Sequence, residues 1–160
     1  MKSIFNILPW KRGLVLSILT LLILVVSSFY GLYTNKFYFF KFDNYLIPLV
    51  TLVHFAFLYV LWFKIKEGEV TDPQMRNLEY ALYVILPIYA YKLINTIAIL
   101  FSANDFENHI IPSTFIPIGL LVLTAYILII ALTLLAFQYR KVLVGNYNFD
   151  EINRHIDTWE

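Results

Sequence analysis

A lysine lies within an otherwise uncharged apolar stretch, in the segment IYAYKLINT that runs from Ile88 to Thr96. The run from Tyr80 to Phe101 contains no other charged residue. An ammonium at the centre of a membrane helix costs about 2.5–3.5 kcal/mol on insertion scales, so it is usually placed where it has a partner or a function. Lys92 is therefore the first residue whose chemistry needs an explanation.

Polar side chains recur around Lys92 at helical spacing. Tyr89, Asn95 and Thr96 lie three or four residues from Lys92 and share its face of a helix. His54 is nine residues from Tyr45, and Lys92 is nine residues from Phe101, so the two side chains are expected at similar depth. If these faces point inward, the predicted midplane polar layer contains Lys92, His54, Tyr89, Asn95, Thr96, Thr51, Thr20, Thr124 and Tyr126.

No carboxylate inside the apolar segments can neutralise Lys92. Glu79 lies at the boundary of its segment, and its helical angle places it nearly opposite Lys92. Three readings remain open. Neutral acceptors hold the ammonium, or it faces a wet lumen in an oligomer, or it meets an anion from another protein, a lipid phosphate or a transported ion.

The elements that must position these residues are long apolar helices. Of the 160 residues, 60% are hydrophobic and only 14% are charged, which is more apolar surface than a soluble domain of this size can bury. Segments of about 20 apolar residues match the roughly 30 Å thickness of a bilayer core. Four such spans are predicted, at about 13–33, 45–63, 80–101 and 116–137.

Basic residues in the short loops predict the orientation of the spans. With the N-terminus inside, nine Lys and Arg residues fall in cytoplasmic segments, and only Lys36 and Lys41 fall in outer loops. The nine are Lys2, Lys11, Arg12, Lys64, Lys66, Arg76, Arg140, Lys141 and Arg154. We therefore expect both termini in the cytoplasm, and an outer aromatic loop, TNKFYFFKFD, in the headgroup layer.

Two cytoplasmic segments carry helix signals. Asp72 is a good N-cap and Pro73 suits a first helical position, so the third helix should begin outside the membrane. In the tail, an apolar stripe lies beside an acidic face, which disfavours anionic lipid and suits a groove on a protein. The stripe consists of Phe149, Ile152, Ile156 and Trp159. Docking on a partner and folding back on residues 64–76 are both open.

The sequence thus predicts an all-α integral membrane protein of the bacterial inner membrane, multi-pass and with both termini cytoplasmic. Residues 1–137 form the four-helix transmembrane domain, and residues 138–160 form a cytoplasmic tail with a short amphipathic helix at about 149–159. Catalytic signatures are missing, a lone membrane histidine does not suit haem, and there are no cysteines, so we expect no enzyme activity, cofactor or metal. An enzyme that acts on a quinone or a lipid through Lys92, His54 and the tyrosines is the alternative left open.

The expected function is a small membrane subunit that forms homo-oligomers within the lipid bilayer and engages or anchors a cytoplasmic protein partner, reporting membrane state to it. The net charge of +1 gives no basis for binding nucleic acid directly. The alternative is an oligomeric channel, transport or pore-forming effector subunit, with the polar layer around Lys92 lining the path.

Overall fold

The computed structural model describes residues 8–103 and 111–147. Four long helices cover most of this part of the chain: α1 (Trp10–Ser28), α2 (Leu46–Glu67), α3 (Pro73–Ser102) and α4 (Phe115–Tyr139). Each is long and apolar enough to cross a membrane. The all-helical fold with four candidate spans is therefore confirmed. The predicted tail helix at 149–159 lies outside the described residues.

The first helix ends earlier than the predicted limit of residue 33, because the chain turns into a small hairpin. Strands β1 (Tyr30–Gly31) and β2 (Lys36–Phe37) pair antiparallel, and the turn between them passes through Asn35 at a φ of 52°. Gly31 is needed here, since a Cβ at this position would lie 2.6 Å from the ring of Tyr38. A short 3₁₀ helix (Phe42–Tyr45) then leads directly into α2.

The other helix limits follow local signals. Helix α2 extends past the predicted residue 63 to Glu67 and ends at Gly68, whose φ of 67° is a conformation that glycine adopts without strain. Helix α3 begins at Pro73, and Asp72 caps it by accepting a hydrogen bond from the Met75 N–H, as the sequence predicted. Helix α4 continues as a π-helical turn (Arg140–Val144) that ends at Gly145.

The four helices form a bundle in which α4 packs against α1 and α3, and α2 packs against the same two helices. Leu21, Phe57, Leu82 and Ile129, one from each helix, are completely buried. We call the end that carries residues 29–46 the hairpin end. We call the opposite end, which carries Lys64, Asp72 and Arg140, the tail end.

The outward faces of the helices are apolar as well. Large side chains such as Leu19, Leu49, Val84 and Leu120 are each at least half exposed. A contiguous apolar exterior on this scale marks a surface that a membrane or another protein covers. Together with the helix lengths, it indicates a multi-pass membrane protein.

Candidate functional site

A histidine and a tyrosine connect α2 to α3 in the bundle interior. The Nδ1 atom of His54 lies 3.1 Å from the hydroxyl of Tyr89, and neither side chain has any exposed surface. Thr51, one turn before His54, is also buried, as is Tyr126 on α4. Burying a polar group is costly unless it is hydrogen-bonded, so this pair fixes how α2 and α3 face each other.

A cavity of about 1160 Å³ opens at the hairpin end, above this interior pair. Helix α3 contributes Lys92, Asn95 and Thr96 to its wall, and α4 contributes Tyr126. The segment that follows the hairpin adds a second cation and an acid, Lys41 and Asp43, and two aromatic residues, Tyr38 and Phe42, also line the cavity.

The cavity also reaches the lateral face of the bundle. Leu49 and Leu52 of α2 and Tyr91 of α3 line it, and about 65% of the surface of each is exposed. These side chains stand on the outward faces of neighbouring helices. A molecule could therefore reach the cavity from the surrounding apolar phase as well as from the hairpin end.

Lys92 is half-buried in the wall of this cavity and lacks a counterion among residues 8–103 and 111–147. Thr96 does not neutralise it, because the threonine hydroxyl donates to the Lys92 backbone carbonyl at 2.8 Å. Helix geometry places Lys92 roughly 15 Å from the end of α3 at Ser102, at about 1.5 Å per residue. Lys92 is thus a deep cation in the wall of an open cavity, without an ion pair to any described residue.

The structure divides the predicted midplane layer into three groups. Lys92, Asn95, Thr96 and Tyr126 line the cavity, while His54, Tyr89 and Thr51 lie in the packed interior. The third group consists of two threonines, whose hydroxyls donate hydrogen bonds to backbone carbonyls of their own helices. Thr20 is buried and donates to Leu16 O, and Thr124 is exposed and donates to Leu120 O.

A second polar cluster, which the sequence reasoning missed, lies at the tail end. Glu79 is almost completely buried and accepts two hydrogen bonds from Arg140, from Nε and Nη2, both at 2.7 Å. Tyr83 donates to the same carboxylate at 2.9 Å and Tyr147 at 2.5 Å. A bidentate arginine with two phenol donors satisfies a buried carboxylate almost fully.

This cluster holds the start of the tail against the bundle. Arg140 also donates to Gly145 O at 3.2 Å, and its guanidinium lies 4.4 Å from the centre of the Tyr147 ring. Burial and the hydrogen bond to the Glu79 carboxylate raise the pKa of Tyr147 above its ordinary value of 10.0. Thr71 donates to Asn146 O at 2.9 Å, which fixes the segment on its other side.

The signal for the cluster was present in the sequence. Glu79 and Tyr83 are four residues apart on one helix face, and Arg140 follows the last apolar residues of the fourth span. Both charges were therefore expected at the same end of the bundle. The spacing alone could not show that the helix face with Glu79 points toward the helix face with Arg140.

Charges in the loop between α2 and α3 form a third cluster, outside the cavity. Lys64 Nζ lies 2.8 Å from both Glu69 Oε2 and Asp72 Oδ2. Burial alone would raise the pKa of Asp72. The hydrogen bonds from Lys64 and the Met75 N–H outweigh it and hold this pKa below its ordinary value of 3.8. This loop is thus pinned to the end of α2 and to the first turn of α3.

The predicted partner-binding stripe of Phe149, Ile152, Ile156 and Trp159 lies outside the described residues, so its docking stays a prediction. The chain matches no protein family, no curated protein and no solved structure.

Proposed function

We propose that this protein is a non-enzymatic, multi-pass membrane protein that binds an anionic amphiphile in the cavity at the hairpin end. The observation that carries the proposal is Lys92, a cation that lines a large cavity and meets no carboxylate among the described residues. A positive charge at membrane depth is stabilised when an anion reaches it. Of the three readings that the sequence left open, this geometry supports an anion from outside the chain best.

The ligand is expected to be lipid-like because the rest of the wall is largely apolar. Leucine, isoleucine, valine and aromatic side chains provide most of the lining, and polar residues come from α3 on one side and from the end of α1 and the hairpin segment on the other. Ligand pockets commonly combine an apolar wall with a few placed polar groups, in volumes of about 300–1,000 Å³. The lateral opening past Leu49 and Tyr91 suits a ligand that arrives within the bilayer.

We place the bundle in the bacterial inner membrane with both termini in the cytoplasm, because the sequence segments assigned to that side hold nine Lys and Arg residues and the outer loops hold two. The cavity then opens toward the outer leaflet. The exposed aromatic residues of the hairpin end support this placement, because Phe40 and Phe42 are at least 90% exposed and would otherwise face water.

The subunit role that the sequence predicts, with homo-oligomers and a cytoplasmic partner, is compatible with such a binding site. The protein would report the ligand's presence to the partner. Its support is the amphipathic tail sequence alone, so it needs its own test.

A channel through a single bundle is less well supported. Beyond the cavity, the His54–Tyr89 pair fills the interior together with Phe57 and Leu61, which have no exposed surface. Conduction would therefore need a path between protomers rather than within one. The amphiphile site needs no such path.

A matched pair of ligands tests the proposal. Laurate and its methyl ester share an acyl chain but differ in the anionic group, and their binding to the purified protein can be compared in a detergent of neutral headgroup. A charge-assisted hydrogen bond contributes about 1.5–3 kcal/mol, so Lys92→Gln should weaken laurate binding about ten- to a hundredfold. Binding of the ester should hardly change.

Two further variants control for indirect effects. Lys36→Gln removes an exposed cation of the hairpin and should leave laurate binding unchanged, which excludes a nonspecific effect of net charge. Val122→Phe narrows the cavity and should weaken the binding of both ligands to the same extent. Equal binding of laurate by the wild type and Lys92→Gln would overturn the proposal.

A further inference from the structure

A second recess lies on the lateral face of the bundle between α1 and α2, and it shares no residue with the cavity around Lys92. Its volume is about 770 Å³. Helix α1 lines it from Lys11 to Leu22, and α2 lines it from Phe55 to Trp62. Apart from Lys11, every lining side chain is apolar or aromatic.

The length of this groove corresponds to one leaflet of a bilayer. The twelve residues from Lys11 to Leu22 span about 16 Å of helix at 1.5 Å per residue. That is about half of the roughly 30 Å hydrocarbon core. The groove therefore begins at the tail end of the bundle and stops near the middle, as the space for one acyl chain would.

A lysine lies at the mouth of the groove. Lys11 lines it directly, and Arg12 follows Lys11 in the first turn of α1. Lys66 Nζ lies 5.1 Å from the ring centre of Trp62, a lining residue, and also 3.1 Å from Glu67 Oε1. After Glu67 is counted against Lys66, the positive charge of Lys11 remains at the mouth.

We propose that this groove binds one acyl chain of an anionic phospholipid whose phosphate lies against Lys11. The chemistry of the two ends of the groove indicates which molecule it binds. The apolar part matches a lipid tail in length and chemistry, and the cationic mouth selects a headgroup with a net negative charge over a zwitterionic one. The amphipathic indole of Trp62 suits the boundary between the headgroup and the acyl chain.

Native mass spectrometry of the full chain tests the proposal with two lipids of identical acyl chains, phosphatidylglycerol and phosphatidylcholine. The Lys92→Gln background is used so that the cavity at the hairpin end does not contribute to the anionic preference, which separates this test from that of the proposed function. A cation near an anionic headgroup changes affinity about fivefold. We expect a preference for phosphatidylglycerol, reduced about fivefold by Lys11→Gln.

Matched variants distinguish the groove from general lipid contact. Ile18→Trp fills the groove and should reduce retention of both lipids, whereas Ile23→Trp, at a similarly exposed position of α1 outside the groove, should not. Lys11→Arg should keep the preference. Equal retention of the two lipids, or an unchanged preference in Lys11→Gln, would overturn the proposal and leave only ordinary lipid contact at this face.

Discussion

Replacing Glu79 by glutamine removes one negative charge from the tail-end cluster and changes its shape very little. Arg140, whose side chain is only 10% exposed, then loses the carboxylate that it contacts through two nitrogens. Tyr83 and Tyr147 lose a charged acceptor at the same time. The variant therefore leaves a buried guanidinium without a counterion.

The size of the effect follows from the burial of the pair. Breaking a buried ion pair by removing one partner destabilises a protein by about 3–5 kcal/mol. For a chain of this size, each kcal/mol lowers Tm by about 2–4 °C. Glu79→Gln should therefore lower Tm by about 6–20 °C.

Thermal unfolding in detergent, followed by tryptophan fluorescence, measures this change. The matched control is Glu67→Gln, since Glu67 pairs with Lys66 at the surface and exposed pairs contribute about 0–1 kcal/mol. The double variant Glu79→Gln, Arg140→Met removes both charges and should be more stable than Glu79→Gln alone. A Tm loss in Glu79→Gln no larger than that of the control would refute the reasoning, as would a double variant whose loss equals the sum of the two single losses.

Three further predictions concern topology, acid stability and the tail. Reporter domains inserted at Asn35 and after Ala103 should both read as outside the cytoplasm, and a cytoplasmic reading at either would contradict the four-span orientation. The pKa of Asp72 is lowered in the folded protein, so the stabilisation from its ionised form is present above pH 3.8 and is lost as the pH falls below that value. Asp72→Asn keeps a good helix cap. The Tm difference between it and the wild type should therefore be largest near neutral pH and shrink below pH 3.8, and a difference independent of pH would exclude the ion pair as its cause. Truncation after Tyr147 preserves the contacts with Glu79, so it should leave Tm unchanged and abolish capture of a cytoplasmic partner. If the captured proteins are the same with and without the tail, the subunit role loses its support.

The helices could be predicted from the sequence because their signals are local. Apolar runs of bilayer length give the four spans, and the Asp72–Pro73 pair gives the start of α3 to the residue. The hairpin was missed because Phe29 to Tyr33 continue the uncharged run of apolar and aromatic residues of the helix before them. What ends the helix is the pairing of Tyr30 with Phe37, a contact between residues that only the folded chain brings together.

The candidate site was predictable only in part, for the same reason. Spacing placed Tyr89, Asn95 and Thr96 on the face of Lys92, but it could not show that Tyr89 faces His54 while Lys92 faces a cavity. The rotation of each helix about its own axis decides this, and that rotation is set by packing against its two neighbouring helices. Whether Glu79 meets Arg140 depends on the same helix rotations.

The position of a bound anionic ligand tests the central claim most directly. An experimental structure of the full chain with laurate should show the carboxylate in the cavity at the hairpin end, about 2.7–2.9 Å from Lys92 Nζ, as a charge-assisted hydrogen bond requires. The acyl chain should extend past Leu49 and Leu52 toward the lateral opening. A ligand bound elsewhere with Lys92 still unoccupied, or a Lys92 ammonium paired with a carboxylate of another protein chain, would contradict the account.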